Sequence, residues 1–360
     1  MPAYPASFGV ESQRNETVNS GARGPWFPTS EAGNVPGIPV TASDAVTAPH
    51  QGCAINQAAK QVHLYPDGNA FYLRNAVAKK LGVTREQLIF GNGSNEIIEF
   101  VAHALLGPDT NIVVSQYCFA IYPIVAHLAG AGCIVVPAKD HGHNLPAMLE
   151  AITSDTRIVF VANPNNPTGT LASKNEVMCL IENLPDQVLL VMDEAYFEFL
   201  DDSANLLPLI NTKPNLLLMR TFSKIYGLAG LRVGYGIGHP DFIAALEKVR
   251  QPFNLNAMAQ AAALAALDDD EHLQQTRKIN KAGLKFFESA FKTLGIKYIQ
   301  SHANFILAKV GNGQQIFLDL QKRGIITRPM GGYQLPEWIR ISIGTTEQND
   351  RCLNALTELR

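Results

Sequence analysis

Short apolar runs that do not alternate with polar residues recur along this chain, and they limit its possible folds more than any other feature. Seven such runs lie at 88–90, 112–114, 134–136, 158–161, 188–192, 216–219 and 233–237. An uninterrupted apolar strand is covered on both faces, which is typical of parallel strands buried between helices. Most of the runs are separated by stretches with helical spacing, as at 96–106 and 174–183. The pattern therefore predicts an α/β fold with a mainly parallel central sheet flanked by helices.

The two ends of the chain differ from this pattern. Residues 1–60 are rich in Gly, Pro, Ser, Thr and Asn and keep no helical or alternating period for long, which favours an N-terminal arm that is largely irregular or is ordered only by packing on the body of the protein. Towards the other end, helices alternate with strand-like segments at 305–308, 325–327 and 338–343, as in a small α+β domain. We predict an arm at 1–60, a large domain at 61–262 and a small C-terminal domain at 263–360.

Charge and cysteine usage exclude several classes of protein. The net charge of -3 provides no broad basic field, so we expect no nucleic-acid partner and no anionic membrane surface as a partner. No apolar run approaches the roughly 18 residues of a membrane span. The five cysteines show no paired spacing, which argues against a disulfide framework and a thiolate zinc site and indicates a reducing cytoplasm. These features favour a cytoplasmic protein.

The stretch 220–232 carries the strongest chemical indication. Lys224 leaves the end of a predicted strand among small residues, where burial lowers the pKa of a lysine and makes it an amine nucleophile toward an aldehyde. Thr221 and Ser223 offer hydroxyls, and Arg232 offers a fork of donors suited to a phosphate. The stretch by itself fits either a Schiff-base lysine beside a phosphate site or an exposed loop lysine.

Polar clusters also follow other predicted strands, at the sheet edge where ligands of parallel sheets bind. Ser94 and Asn95 open a helix after 88–90 and form either an anion site or an ordinary helix cap. Tyr117 follows 112–114, as a ring that stacks on a flat ligand or as part of the core. Asn166 lies between two prolines, as a positioned amide or a generic turn residue.

Asp193 ends the run 188–192, where a buried carboxylate is costly without a cation or a strong donor. It could serve as a metal ligand, a helix cap or the partner of a protonated ring nitrogen. No His or Asp at metal-ligand spacing accompanies it, so metal ranks last and we predict no metal site. One cofactor, pyridoxal 5'-phosphate, needs a lysine, a carboxylate and a phosphate site together. Lys224 would then also carry a substrate proton as general base and acid.

Several motifs, in one order, resemble those of the class I/II aminotransferases, which have the pyridoxal-phosphate-dependent transferase fold type I. The matching segments are 65–69, 91–96, 163–169, 193–196, 221–232, 303–305, 328–330 and 339–345. They cover the chain from about residue 61 to its end. The resemblance implies the type I fold, with a large cofactor-binding domain and a smaller C-terminal domain.

The resemblance also implies a role for each matching residue. Lys224 would bind the cofactor aldehyde covalently, Asp193 would pair with the pyridine nitrogen, and Tyr117 would stack on the ring. Asn166 and Tyr196 would contact the ring's phenolic oxygen. Contacts to the cofactor phosphate would come from Ser94, Asn95, Thr221, Ser223 and Arg232.

The resemblance further implies a partner subunit and a substrate site. Tyr65 would reach the cofactor phosphate of a second subunit, which makes a homodimer the active form. Arg340 would bind the α-carboxylate of glutamate, for which a bidentate guanidinium is suited. Arg328 would help to hold a substrate phosphate, and Asn304 would lie near the substrate.

Within that family the chain is similar to the branch that transaminates histidinol phosphate, which implies exchange of an amino group between glutamate and imidazole-acetol phosphate. An aromatic amino acid aminotransferase and a phospho-amino-acid decarboxylase share this scaffold and remain alternatives. A family segment containing Asn-Glu-Asn-Pro is missing between 36–39 and Tyr65, and the shorter 41–57 replaces it. Because that segment closes over the substrate, its loss bears on substrate affinity and leaves a non-catalytic homologue as a further alternative.

Overall fold

The large sheet has seven strands within the residues that the computed structural model describes, 49–202 and 204–359. They are β1 (Leu88–Gly91), β2 (Asn111–Ser115), β3 (Gly132–Val136), β4 (Thr156–Ala162), β5 (Leu189–Asp193), β6 (Leu216–Thr221) and β7 (Gly234–Gly238). Their order is β1-β7-β6-β5-β4-β2-β3. β7 is antiparallel to β1 and β6, and the other neighbouring pairs are parallel. The predicted mainly parallel sheet is confirmed.

Helices cover both faces of this sheet. They are α1 (Pro49–Ala59), α2 (Phe71–Leu81), α3 (Ser94–Leu105), α4 (Ile121–Leu128), α5 (Leu145–Glu150), α6 (Lys174–Asn183), α7 (Pro240–Glu247) and α8 (Ala257–Leu267). Successive strand residues enter two separate apolar clusters, as Val159 does on one face and Phe160 on the other. Both faces of the central strands are therefore dry, which explains their uninterrupted apolar sequence.

One of the two edge strands, β3, departs from this rule, whereas the other, β1, is buried. Within the described residues β3 pairs with β2 alone, and Val135 in this strand is 53% exposed. Its apolar run resembles those of the central strands, although one side has no covering strand. The sequence pattern alone does not separate an edge strand from a buried one.

A second sheet lies in the C-terminal part of the chain. Its strands are β8 (Tyr298–Ile299), β9 (Phe305–Lys309), β10 (Arg328–Pro329) and β11 (Trp338–Ser342), in the antiparallel order β10-β11-β9-β8. The helices α9 (Asp270–Leu294), α10 (Gly313–Lys322) and α11 (Thr346–Glu358) accompany it. Phe287 and Phe291 of α9 share a buried cluster with Ile306 and Ile339 of this sheet.

No strand forms over the predicted range 325–327, where Ile325 makes a single β-bridge and also closes α10. Gly324 has a φ of 73°, and its N–H donates to the carbonyl of Gln321 at 2.9 Å. The N–H of Ile325 donates to the carbonyl of Leu320 at 3.0 Å. This pair of bonds is a Schellman motif, in which an apolar residue after the glycine packs back on the helix. The strand starts three residues later, at Arg328.

The boundary predicted between residues 262 and 263 falls inside α8. Ala259, Ala263 and Leu267 of α8 belong to the core cluster of the large sheet. We therefore propose that the division into two domains lies after α8, before α9 begins at Asp270.

Residues 1–48 of the predicted arm lie outside the described residues, and its last part is not irregular but is ordered by packing on the body of the protein, the second of the two expectations for it. Residues 49–59 form α1, which packs against the alanine-rich α8. The side chain of Gln51 is fully buried, and its Nε2 atom donates to the carbonyl of Tyr226 at 3.3 Å. Small alanine side chains allow close approach, so tertiary packing stabilises a helix that has little period of its own.

Among the described helices, none has the length and apolar character needed to cross a membrane.

Candidate active site

Asp193 is the last residue of β5, and only 5% of its surface is exposed. Its Oδ2 atom accepts a hydrogen bond from the Tyr122 hydroxyl at 2.8 Å, and Oδ1 accepts one from the Ala195 N–H at 3.2 Å. Burial raises the pKa of this carboxyl, whereas these two donors and the charge of Lys224 oppose the rise. The Asp193 carboxylate is therefore buried at the carboxyl end of β5, with the positive charge of Lys224 close by.

Lys224 lies in the turn after β6, on the neighbouring strand. Its Nζ atom is 5.2 Å from the centre of the Tyr196 ring. Tyr196 is buried and packs edge-on against Phe305, with ring centres 5.5 Å apart. The structure therefore brings Lys224, Asp193 and Tyr196 together, although they come from two different strand ends.

The predicted phosphate residues meet where α3 begins. Gly93 precedes this helix with a φ of 79°, and a Cβ atom there would lie 2.3 Å from Nη2 of Arg232. The Nη1 atom of Arg232 donates to Ser223 Oγ at 3.3 Å, and the Ser223 N–H donates to Thr221 Oγ1 at 3.1 Å.

Ser94 and Asn95 are the first two residues of α3, so their N–H groups have no partner within the helix. The glycine at 93 leaves room for the guanidinium beside this positive helix end. Such a combination of guanidinium, hydroxyls and helix N-terminus fits a phosphate monoester.

Two arginines lie side by side on neighbouring strands of the small sheet. Arg328 of β10 and Arg340 of β11 are register partners. Nη1 of Arg340 donates to Oδ1 of Asn166 at 2.5 Å, and its Cζ atom lies 4.7 Å from the centre of the Phe305 ring. Burial lowers the pKa of Arg340, and the charge of Arg328 lowers it further. Two neighbouring cations in a partly dry site favour an anionic ligand.

The remaining predicted residues have different surroundings. Tyr117 stacks on His141, with ring centres 5.9 Å apart, and its carbonyl accepts a bond from Asn165 at 2.7 Å. Asn304 is 5% exposed and directly precedes β9. Tyr65 is 84% exposed and touches Phe253 at a ring distance of 4.9 Å. Tyr65 is thus displayed at the surface rather than directed into the cluster around Lys224.

Two sets of contacts next to the site were not predicted from the sequence. The first is Tyr122, which binds Asp193 from 71 positions away. The second is the buried ion pair between Glu194 and Arg220, with Nε and Oε2 2.9 Å apart. Charged residues that interrupt or border apolar strands were the available signal for this pair. Nothing in the local sequence indicates the bond of Tyr122.

Glu198 lies near that ion pair, and its Oε2 atom is buried without a hydrogen-bond partner in the described part of the chain. Burial raises the pKa of this carboxyl from 4.5 to about 7. The folded protein then binds the proton more tightly than the unfolded chain, so this group's contribution to stability is complete below about pH 4.5 and is lost as the pH rises through 7.

We expect Glu198→Gln to raise the free energy of unfolding by roughly 3 kcal/mol at about pH 8 and to change it little near pH 4.5. Urea unfolding at the two pH values measures this difference. Glu150→Gln on the exposed side of α5 is the control and should change neither value. A Glu198→Gln variant that is less stable at the higher pH would contradict the assignment.

Among the described residues there is no group of three or more His, Cys, Asp or Glu side chains that could hold a metal ion.

Comparison with known proteins agrees with this arrangement. The family described as "Aminotransferase class I and II" matches residues 37–356. The chain is 49% identical over 307 residues to the histidinol-phosphate aminotransferase of Akkermansia muciniphila, with 85% of each chain covered. It is 46% identical over 326 residues to histidinol-phosphate aminotransferase 2 of Ralstonia nicotianae, which covers 89% of this chain and 85% of the relative.

Solved structures give the same result. One is the histidinol-phosphate aminotransferase of Sinorhizobium meliloti in complex with pyridoxal-5'-phosphate, which is 27% identical to this chain. The two structures superpose with a TM-score of 0.83 over 88% of this chain and 89% of the other. An aspartate aminotransferase of Thermus thermophilus with maleate shares the fold, with a TM-score of 0.77 at 23% identity over 87% of this chain and 88% of its own. The fold is the type I fold of pyridoxal-phosphate-dependent transferases. The family match spans both sheets and every site residue described above, and this chain belongs to the class I and II aminotransferases.

Proposed function

We propose that this protein is a pyridoxal-phosphate-dependent aminotransferase that exchanges an amino group between glutamate and imidazole-acetol phosphate. The observation that carries the proposal is the pair of neighbouring arginines, Arg328 and Arg340, next to the cluster of Lys224 and Asp193. Tyr196 connects the two parts, because Lys224 lies over its ring and Phe305 lies against both Tyr196 and Arg340. An amine-handling centre thus adjoins a site for an anionic substrate.

The residues present fit the cofactor. Pyridoxal phosphate, when bound, supplies an aldehyde that captures a substrate amine and a protonated ring that accepts the electron pair left when the α-proton departs. The residues that would hold its phosphate are Ser94, Asn95, Thr221, Ser223 and Arg232. Asp193 would hold a negative charge beside the ring nitrogen, Asn166 and Tyr196 would contact the phenolic oxygen, and Tyr117 would cover the ring. Gly93 supports this fit, because it adopts a φ of 79° and a Cβ atom there would displace the Arg232 guanidinium from its present place.

Lys224 provides the acid-base group of the reaction. Its Nζ atom takes a proton from the substrate Cα and returns it as general acid. The ring of Tyr196 beneath Nζ and the nearby charge of Asp193 favour a fixed orientation of this side chain. The chain's own contribution is therefore a positioned amine in a largely desolvated site.

Each of the two arginines would bind the anionic group of a different substrate. Arg340 would bind the α-carboxylate of glutamate, and its bond to Asn166 orients the guanidinium plane. Arg328 would hold the phosphate of histidinol phosphate, with Asn304 near the substrate. The names of the relatives support a phosphorylated substrate.

Steady-state rates test this function. With the holoenzyme and 2-oxoglutarate, we expect kcat/KM for histidinol phosphate to exceed that for phenylalanine or tyrosine by at least roughly 100-fold, because Arg328 is left without an anion by the aromatic acids. A preference for the aromatic acids would instead support an aromatic amino acid aminotransferase. Release of carbon dioxide from a phospho-amino acid would support a decarboxylase. Purified protein that holds pyridoxal phosphate without a spectral change on adding glutamate would support a non-catalytic homologue.

The exposed apolar surface around Tyr65 supports a homodimer. Large apolar side chains in residues 62–72 are 45–84% exposed, and Phe253 beside Tyr65 is 47% exposed. Patches of this kind mark protein interfaces. We propose that a second copy of the chain covers this surface and that Tyr65 thereby reaches the partner's cofactor phosphate. The five free cysteines support a cytoplasmic location.

Mixing two inactive variants tests the shared site. Tyr65→Ala and Lys224→Ala are each expected to have little activity, and their mixed dimer contains one site with both native residues. After subunit exchange, about a quarter of all sites should regain full activity. Mixed protein that stays as inactive as either parent would show that Tyr65 acts within its own subunit. Subunit exchange itself is checked with two tags of different size.

A further inference from the structure

Tyr122 binds Asp193 from a helix. It lies on α4 and is fully buried, with its ring stacked on Phe160 of β4 at 4.4 Å and an interplanar angle of 4°. Its hydroxyl crosses to β5 and donates to Oδ2 of Asp193 at 2.8 Å. The tyrosine is thus held by packing on one element while its polar end serves another.

The Tyr122 hydroxyl serves Asp193 as a hydrogen-bond donor. Burial and the nearby charge of Asp193 raise the pKa of Tyr122 well above its ordinary value, so its proton remains in place. Asp193 is therefore supplied with one side-chain donor at Oδ2 and one backbone donor at Oδ1 from Ala195. Hydrogen bonds to a buried carboxylate favour its charged form and fix its plane.

Three groups act on the Asp193 carboxylate, two through hydrogen bonds that orient it and one through its charge. The backbone bond from Ala195 is set by the turn after β5 and would persist whatever residue stood at 122. The bond at Oδ2 depends on the Tyr122 hydroxyl. Lys224 acts on the carboxylate through its charge, which works against the burial of Asp193 in the same sense as the two donors.

We propose that Tyr122 is a positioning residue that keeps the Asp193 carboxylate charged and aimed at the ring nitrogen of the cofactor. The inference rests on the proposed function, because it requires pyridoxal phosphate as the ligand. It predicts that the hydroxyl of Tyr122 matters only for ligands that carry a ring nitrogen. A purely structural tyrosine would affect every ligand alike.

The test compares two cofactors in three proteins. Holoenzyme is prepared with pyridoxal phosphate or with its 1-deaza analogue, in which a C–H group replaces the ring nitrogen, and dissociation of each ligand on dilution is measured. Tyr122→Phe keeps the stacked ring and removes only the hydroxyl. Phe160→Leu removes the stack and keeps the hydroxyl, so it is the matched control for packing.

We expect Tyr122→Phe to weaken binding of pyridoxal phosphate by roughly tenfold and that of the deaza analogue by less than about twofold, because a charge-assisted hydrogen bond supports only the ion pair. Phe160→Leu should change both affinities by the same factor. Equal weakening of both ligands in Tyr122→Phe, or no weakening of either, would overturn the inference. A wild-type protein that does not prefer pyridoxal phosphate over the analogue would instead overturn the proposed pairing of Asp193 with the ring nitrogen, and the role of Tyr122 with it.

Discussion

Lys224→Ala is expected to lower the rate of transamination by at least roughly 1,000-fold, because the variant loses both the amine nucleophile and the group that carries the substrate proton. Cofactor binding should survive, since Arg232, the hydroxyls beside it and the start of α3 remain. The expected protein therefore holds pyridoxal phosphate without a covalent link and turns over neither glutamate nor histidinol phosphate. Spectral titration with each substrate and single-turnover product analysis measure both effects.

Two control variants separate the roles of this side chain. Lys224→Arg keeps a positive charge near Asp193 but has no nucleophilic amine, so we expect it to be as inactive as the alanine variant. Lys281→Ala removes an exposed lysine that is paired with Asp201 on the surface, and its rate should equal that of the native protein. Retained turnover in Lys224→Ala would refute the assigned role of this residue.

Arg340→Gln is expected to lower kcat/KM for glutamate by roughly 300-fold, which corresponds to about 3.5 kcal/mol for a lost buried charge pair. Glutamine can still bond to Asn166, so the change removes the charge without leaving that amide alone. Arg340→Lys should recover little, since an ammonium group cannot form the planar two-bond contact. The glutamate half-reaction, followed by itself, measures this loss.

Arg328→Gln is the variant matched to Arg340→Gln, because it removes the charge of the register partner on the neighbouring strand β10. We expect it to weaken the half-reaction with histidinol phosphate more than the half-reaction with glutamate, opposite to Arg340→Gln. The converse pattern, with Arg328→Gln acting mainly on glutamate, would mean that the two arginines have exchanged roles. Equal losses in both half-reactions would indicate that the pair acts as one undivided anion site.

Most of the large domain could be predicted because its information is local. The apolar run at 216–219 and the helix at 174–183 both appear in the structure, the helix with the same bounds. Ser173 and Glu176 explain that agreement, since their capping box marks the helix start within four residues. Local signals do not predict a helix that depends on tertiary contacts. The sequence of α1 has little helical period, and this helix packs on α8.

The small domain shows why turns limit prediction. Ile325 is apolar and follows a glycine, a pattern shared by strand starts and helix ends. The bond from its N–H to Leu320 identifies the helix end, and that bond is visible only in three dimensions. The register of Arg328 with Arg340 is likewise visible only in the folded chain.

The sequence by itself determined that the candidate site residues lie at the carboxyl ends of the parallel strands. Parallel strands end at one edge, so the polar residues that follow them, Lys224 and Asp193 among them, must lie close together. Only the tertiary structure decided which side chains serve these groups. Tyr122 meets Asp193, and Arg328 lies beside Arg340, through contacts between segments that are distant in the chain. The physical reason is that the strands and their mainly parallel arrangement follow from local patterns of burial, whereas a hydrogen bond across the core depends on how a helix is packed to within a few tenths of an ångström.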